Sequence, residues 1–197
     1  MKQALFPLHT ILFPGGILPL QIFEQRYLSL IKDCMKQETG FVTVLISEGK
    51  EVGAAPQVHS TGCYVEITDW ESLPNGLLGV TIQAKYRVRL SRCTVRDDGL
   101  LLAETTPFAS TLESAQQDES SLPEVFAPLA DTLKQLMEHP FAQHYQQAID
   151  YNNVAEVCFR LSELLPIGNR EKQQLLETES AQQMLDLLTL HINAMQS

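Results

Sequence analysis

Residues 8–27 read LHTILFPGGILPLQIFEQRY, and no other stretch limits the fold as much. Pro14, Gly15, Gly16 and Pro19 interrupt nine large apolar residues before the first charges, Glu24 and Arg26, arrive. Proline removes a ladder donor and glycine weakens an extended chain, so the run does not read as the interior of one strand. It reads as a strand ending at Phe13, followed by a corner at residues 14–16. There proline fixes φ and glycine reaches conformations closed to other residues. ILPLQIF then crosses to a helix opened by Glu24, whose buried face is Tyr27, Leu30, Ile31, Cys34 and Met35 at i, i+3, i+4 spacing. On this reading Gly15→Val lowers stability before it affects binding.

Around that corner, residues 1–110 read mainly as β-structure. FVTVLIS at 41–47 is β-branched and apolar, while CYVEITDW at 63–70 and YRVRL at 86–90 alternate. LPNG at 73–76 and DDG at 97–99 supply the positive φ angles of tight hairpin turns. Several short strands with close turn signals predict a small barrel or sandwich.

Residues 111–121 belong to a small, polar and acidic stretch that reads as a linker or loop. From 122 to 197 the period becomes helical. SLPE at 121–124 is a capping-box pattern ahead of Val125, Phe126, Leu129, Leu133, Leu136 and Met137, a face that stops before Pro140. A second face runs from Val154 to Leu165. A third is capped by Ser180 with Gln183 and carries Met184, Leu187, Leu188, His191, Ile192 and Met195. The fold class is therefore α+β, a barrel with one inserted helix followed by a helical bundle.

Charge separates the same two regions. Residues 1–108 hold 10 Lys and Arg against 11 Asp and Glu, and residues 109–197 hold 4 against 13, within a net charge of −10. An acidic second half repels phosphate backbones, which disfavours nucleic-acid binding. No stretch has the roughly 18–20 apolar residues that span a bilayer, and the N-terminus lacks the pattern of a secretory leader. Four widely spaced cysteines, Cys34, Cys63, Cys93 and Cys158, read as reduced thiols. The expectation is a cytoplasmic protein.

Catalytic patterns are missing from the chain. There is no Gly-x-x-x-x-Gly-Lys-Ser/Thr phosphate loop and no Gly-x-Ser-x-Gly elbow. His139 and His144 stand five apart across Pro140, and five residues turn a helix through about 500°, so they share no face. No catalytic residue, metal or cofactor is expected. Two sets of residues are candidates for binding. Phe23, Glu24, Arg26 and Tyr27 open the first helix, where they form a partner surface, or else pack the helix while Glu24 meets its dipole and Arg26 pairs locally. Lys85, Arg87 and Arg89 alternate along one strand, where they form a phosphate-tracking face, or else a solvated face paired with Glu66 and Asp69.

The opening run, LFPGG, LPL and IFEQRY in order, with LPNG at 73–76 and LLPIGNREKQQLLE at 164–177, resembles the N-terminal domain of Lon proteases, in the small bacterial form that contains that domain without the rest. The resemblance spans nearly the whole chain. It departs from the family at Ala84 and at RVR, residues 87–89, where the pattern has a glycine and an aromatic. It implies a PUA-like β-barrel followed by a helical bundle, serving substrate recognition. It also implies a non-enzymatic module that binds a polypeptide segment or a folded partner, without ATPase or Ser-Lys protease parts. PUA-like folds are shared with RNA-binding proteins, which makes RNA along Lys85, Arg87 and Arg89 the alternative.

Overall fold

A computed structural model describes residues 2–114, 122–139 and 148–196. The chain divides into two compact units, residues 1–108 and 109–197.

In the first unit six strands form one sheet. They are β1 (Lys2–Leu8), β2 (Ile17–Ile22), β3 (Phe41–Glu48), β4 (Gln57–Ser72), β5 (Leu78–Val95) and β6 (Leu101–Pro107). Their order is β2-β5-β4-β3-β1-β6, and β6 pairs again with β5, so five strands close a circuit with β2 attached outside it. All neighbours are antiparallel except β1 and β3. That parallel pair needs a crossover, which helix α1 (Gln25–Gln37) supplies together with β2. Leu5, Val42, Val44, Val88, Leu90, Leu101 and Ala103 form a buried cluster drawn from β1, β3, β5 and β6.

Both hairpin signals lie where the turns occur. Gly76 and Gly99 have φ of 80° and 84°, and Gly76 N–H donates to the Leu73 carbonyl as Gly99 N–H does to that of Arg96. The opening run folds differently from the sequence expectation. β1 ends at Leu8 rather than Phe13. Ile11, Leu12 and Phe13 are buried without joining a ladder, because the chain bends at residues 9 and 10. Gly15, at φ 83°, then donates to the Ala84 carbonyl at 2.7 Å, and Ala84 returns a bond to Gly16. ILPLQI is no mere crossing. It is strand β2, and Pro19 is tolerated in it because β2 pairs with β5 alone.

A second difference concerns β5. The β4–β5 register steps from Tyr64↔Tyr86 to Val65↔Ala84, leaving Lys85 as an extra residue. That bulge breaks the strict alternation read from the sequence.

The second unit is helical. α2 (Thr111–Ser114) falls inside the stretch read as a linker, and its first residue donates to the Glu179 carbonyl at 2.9 Å. A 3₁₀ turn, Glu124–Phe126, precedes α3 (Ala127–Glu138) without a side-chain cap. Ser121 of the expected capping box and His144 lie outside the described residues. α4 (Val154–Leu164) is capped by Asn153, which accepts the Glu156 N–H at 2.7 Å, and eight of its residues are buried. It packs against α3 and α6 (Ala181–Gln196). Ser180 Oγ accepts the Gln183 N–H at 3.2 Å, as its spacing predicted. α5 (Asn169–Leu176) carries no apolar stripe that periodicity would reveal, since its residues are mostly polar. No helix among the described residues is long and apolar enough to cross a membrane.

Candidate functional site

The first helix begins where β2 ends, and the two bring the opening motif against the end of β1. A cleft of about 160 Å³ lies there. Its walls are Phe6, Pro7 and Leu8 of β1, Pro19 to Ile22 of β2, Phe23, Glu24 and Tyr27, and Glu51 with Val52 from the β3–β4 loop. Phe23 is 54% exposed and Val52 52%, whereas Phe6 and Tyr27 are buried. The rings of Phe6 and Tyr27 pack at a tilt of 32° with centroids 4.2 Å apart, and Phe6 meets Phe41 at 5.8 Å. The result is an apolar floor with two large apolar side chains left in water at its border.

Of the four residues singled out at the helix start, Phe23, Glu24 and Tyr27 line this cleft and Arg26 does not. Arg26 is buried beneath it. Its Nη2 lies 2.9 Å from Glu24 Oε2 in an ion pair, its Nη1 donates to the Gly99 carbonyl at 3.0 Å, and its guanidinium stands 4.8 Å from the Tyr27 ring centre. Arg26 Nε is buried without a hydrogen bond. Glu24 also accepts the Gly53 N–H at 3.5 Å, so its carboxylate ties the loop to the helix start. Burial pushes the Tyr27 hydroxyl up to about 12, with Arg26 acting against the shift. The cleft therefore offers shape and apolar surface, with the Glu24 and Glu51 carboxylates as its charged groups.

The strand cations are separated. Lys85 is exposed and pairs with Glu66 at 3.3 Å. Arg87 is only 1% exposed, with its guanidinium 4.3 Å from the Phe108 ring centre, and Arg89 is exposed with its own guanidinium 4.5 Å from the same ring. The expected common cationic face, whether open to phosphate or simply solvated, is thus not present at Arg87. Asp69, the other expected carboxylate partner, instead accepts the Trp70 N–H at 2.8 Å. Cys34, Cys63 and Cys158 are buried, Cys93 is exposed, and burial raises the Cys34 and Cys158 thiols, the latter to about 12. Among the described residues no group of three His, Cys, Asp or Glu is arranged to hold a metal ion.

Sequence reasoning missed Glu51 and Val52, which sit in the polar β3–β4 loop. One apolar residue within SEGKEVG was the available signal.

Residues 3–194 match the family described as ATP-dependent protease La (LON) substrate-binding domain. A crystal structure of a Lon N-terminal domain protein from Xanthomonas campestris is 27% identical, with a TM-score of 0.75 over 96% of this chain and 98% of that one. The N-terminal domain of Lon protease from the Mycobacterium avium complex shares the fold at 16% identity and a TM-score of 0.63, covering 97% of each chain. Lon protease of Parabacteroides distasonis is 28% identical over 85% of this chain, and that of Anaeromyxobacter dehalogenans 23% over 94%. The chain spans only 20% and 22% of the length of those two relatives. With a family match over nearly its full length and the same fold in solved relatives, the chain belongs to the Lon substrate-binding domain family.

Proposed function

We propose that the protein is a non-catalytic module that captures polypeptide segments with exposed apolar residues, and that the cleft bordered by Phe23 and Val52 is where it does so. The observation that carries this reading is the pair of half-exposed large apolar side chains over the buried Phe6–Tyr27 floor. Exposed apolar side chains grouped beside a concave apolar floor are a feature of interaction sites. On this reading the closed strand circuit is the PUA-like barrel implied by the opening motif, and the free cysteines suit a reducing, cytoplasmic setting. RNA along Lys85, Arg87 and Arg89 has less behind it, since Arg87 is buried and Lys85 is paired.

The test is fluorescence anisotropy with a labelled, permanently unfolded protein as ligand. Phe23→Ala and Val52→Ser each weaken binding about tenfold, the order expected when a half-buried Phe or Val contact is lost, with melting temperature unchanged. Unaltered affinity in both variants overturns the assignment of this cleft.

A further inference from the structure

A larger cavity, about 410 Å³, lies where the C-terminal end of α1 meets the middle of β4. Its lining includes Glu38 and Met35 from the helix end and Glu66, Asp69 and Trp70 from the strand, with no Lys, Arg or His among the described lining residues, although Lys85 reaches Glu66 from outside it. Three features of it favour a cation. The 13-residue α1 turns its negative end towards it, since Glu38 is the C-cap. Three carboxylates share its walls, and among the described residues only Glu66 of the three is in an ion pair. Trp70 is 58% exposed, and an indole face attracts ammonium and guanidinium groups. Met35, 40% exposed, offers apolar surface for the stem of a long basic side chain.

This cavity and the apolar cleft have a common neighbour. A third cavity of about 170 Å³ shares Asp69 and Trp70 with the first, and shares Pro19, Leu20 and Gln21 with the cleft. The register explains why, because Leu20 pairs with Val80 and Val80 with Trp70 across three neighbouring strands. Leu20 is two strand spacings, roughly 10 Å, from Trp70, and Phe23 lies three residues further along the chain, so Phe23 and Trp70 stand roughly 14 Å apart, about four residues of extended chain.

We propose that the cavity at Trp70 receives a Lys or Arg side chain of the same polypeptide whose apolar residue occupies the cleft at Phe23, the two separated by about four residues. The preferred ligand is then an extended segment with an apolar anchor and a nearby basic residue. This inference rests on the polypeptide reading of the cleft, and its test separates the two.

Trp70 is the sole tryptophan of the chain, so its emission reports on the cavity directly. The probes are two synthetic peptides, each with one Phe and, four residues on in either direction, either arginine or its neutral isostere citrulline. The arginine peptide is expected to move Trp70 emission and to bind about three- to tenfold more tightly than the citrulline peptide, with the advantage shrinking in high salt. The double variant Glu38→Gln, Asp69→Asn, whose folding is confirmed by an unchanged melting temperature, removes that preference. Phe23→Ala weakens both peptides and keeps their ratio. Equal affinities with loss of binding in Phe23→Ala overturn the cation cavity and leave the cleft reading standing. Arginine preference with no effect of Phe23→Ala overturns the cleft reading and retains the cavity. Failure of both peptides to bind overturns both.

Discussion

Arg26 and Gly99, 73 residues apart, are joined by a 3.0 Å hydrogen bond from the guanidinium Nη1 to the glycine carbonyl. The bond ties the first turn of α1 to the β5–β6 hairpin turn, and the ion pair to Glu24 secures the other side of the same guanidinium. Arg26 thus acts as a strut beneath the cleft rather than as part of its surface.

Removing that strut leaves the Glu24 carboxylate without its cation and the Gly99 carbonyl without its donor. Arg26→Ala is expected to cost roughly 2–3 kcal/mol. Chemical denaturation measures it. A loss of peptide affinity at unchanged stability would instead place Arg26 on the binding surface.

Gly40 is constrained by the strand packed against it. A Cβ added there would lie 1.9 Å from the Val65 carbonyl oxygen and 2.9 Å from the Tyr64 hydroxyl, to which the Gly40 N–H donates at 2.7 Å. Backbone on the neighbouring strand cannot give way as a flexible side chain can. Gly40→Ala should therefore lose at least about 2 kcal/mol, in the range of overpacked cores, read as a shift in the denaturation midpoint.

Tyr27 makes the fold sensitive to alkali. Its hydroxyl is raised from 10.0 to about 12 chiefly by burial, so the folded state disfavours the phenolate. The contribution is fully present below pH 10, falls as the unfolded chain ionises between pH 10 and about 12, and is lost above that. Its slope is about 1.4 kcal/mol per pH unit. Buried Cys158 adds a shift of the same sign, so the measurement is a difference. Tyr27→Phe should flatten the stability profile of wild type between pH 10 and 12 and leave its slope near pH 7 unchanged.

Arg87 and Arg89 stack on the same Phe108 ring but differ in burial. Arg87→Ala is expected to cost about 2 kcal/mol, as for a desolvated cation over an aromatic ring, and Arg89→Ala at most about 1 kcal/mol. Thermal denaturation of the two variants compares them. Equal costs would show that the burial of Arg87 adds nothing to the stacking.

Much of the architecture was legible because it rests on local chemistry. Asn-Gly and Asp-Gly turns at 75–76 and 98–99, the apolar face of α1 from Tyr27 to Cys34 though not Met35, which is exposed, the end of α4 before Pro166 and the Ser180 cap of α6 all depend on residues a few positions apart. α5 escaped the periodic reading because its packing face is supplied by only a few residues, among them Gln173, Leu175 and Leu176.

The cleft at the start of α1 was legible only in part. Phe23, Glu24 and Tyr27 stand close to one another in the chain, but Val52 reaches the cleft only because β1 and β3 lie side by side in the sheet. No spacing in the sequence announces a contact that depends on how two strands pair.

The order of residues was enough to settle where this chain turns, which segments pair as hairpins and to which family it belongs, since proline, glycine and apolar period act on their immediate neighbours. Tertiary contacts made ILPLQI an outer strand, placed a bulge at Lys85 that interrupts the alternation, and buried Arg87 while leaving Phe23 in water. Strand order, register and solvent exposure are set by partners distant in the chain, so they arise only when those partners meet.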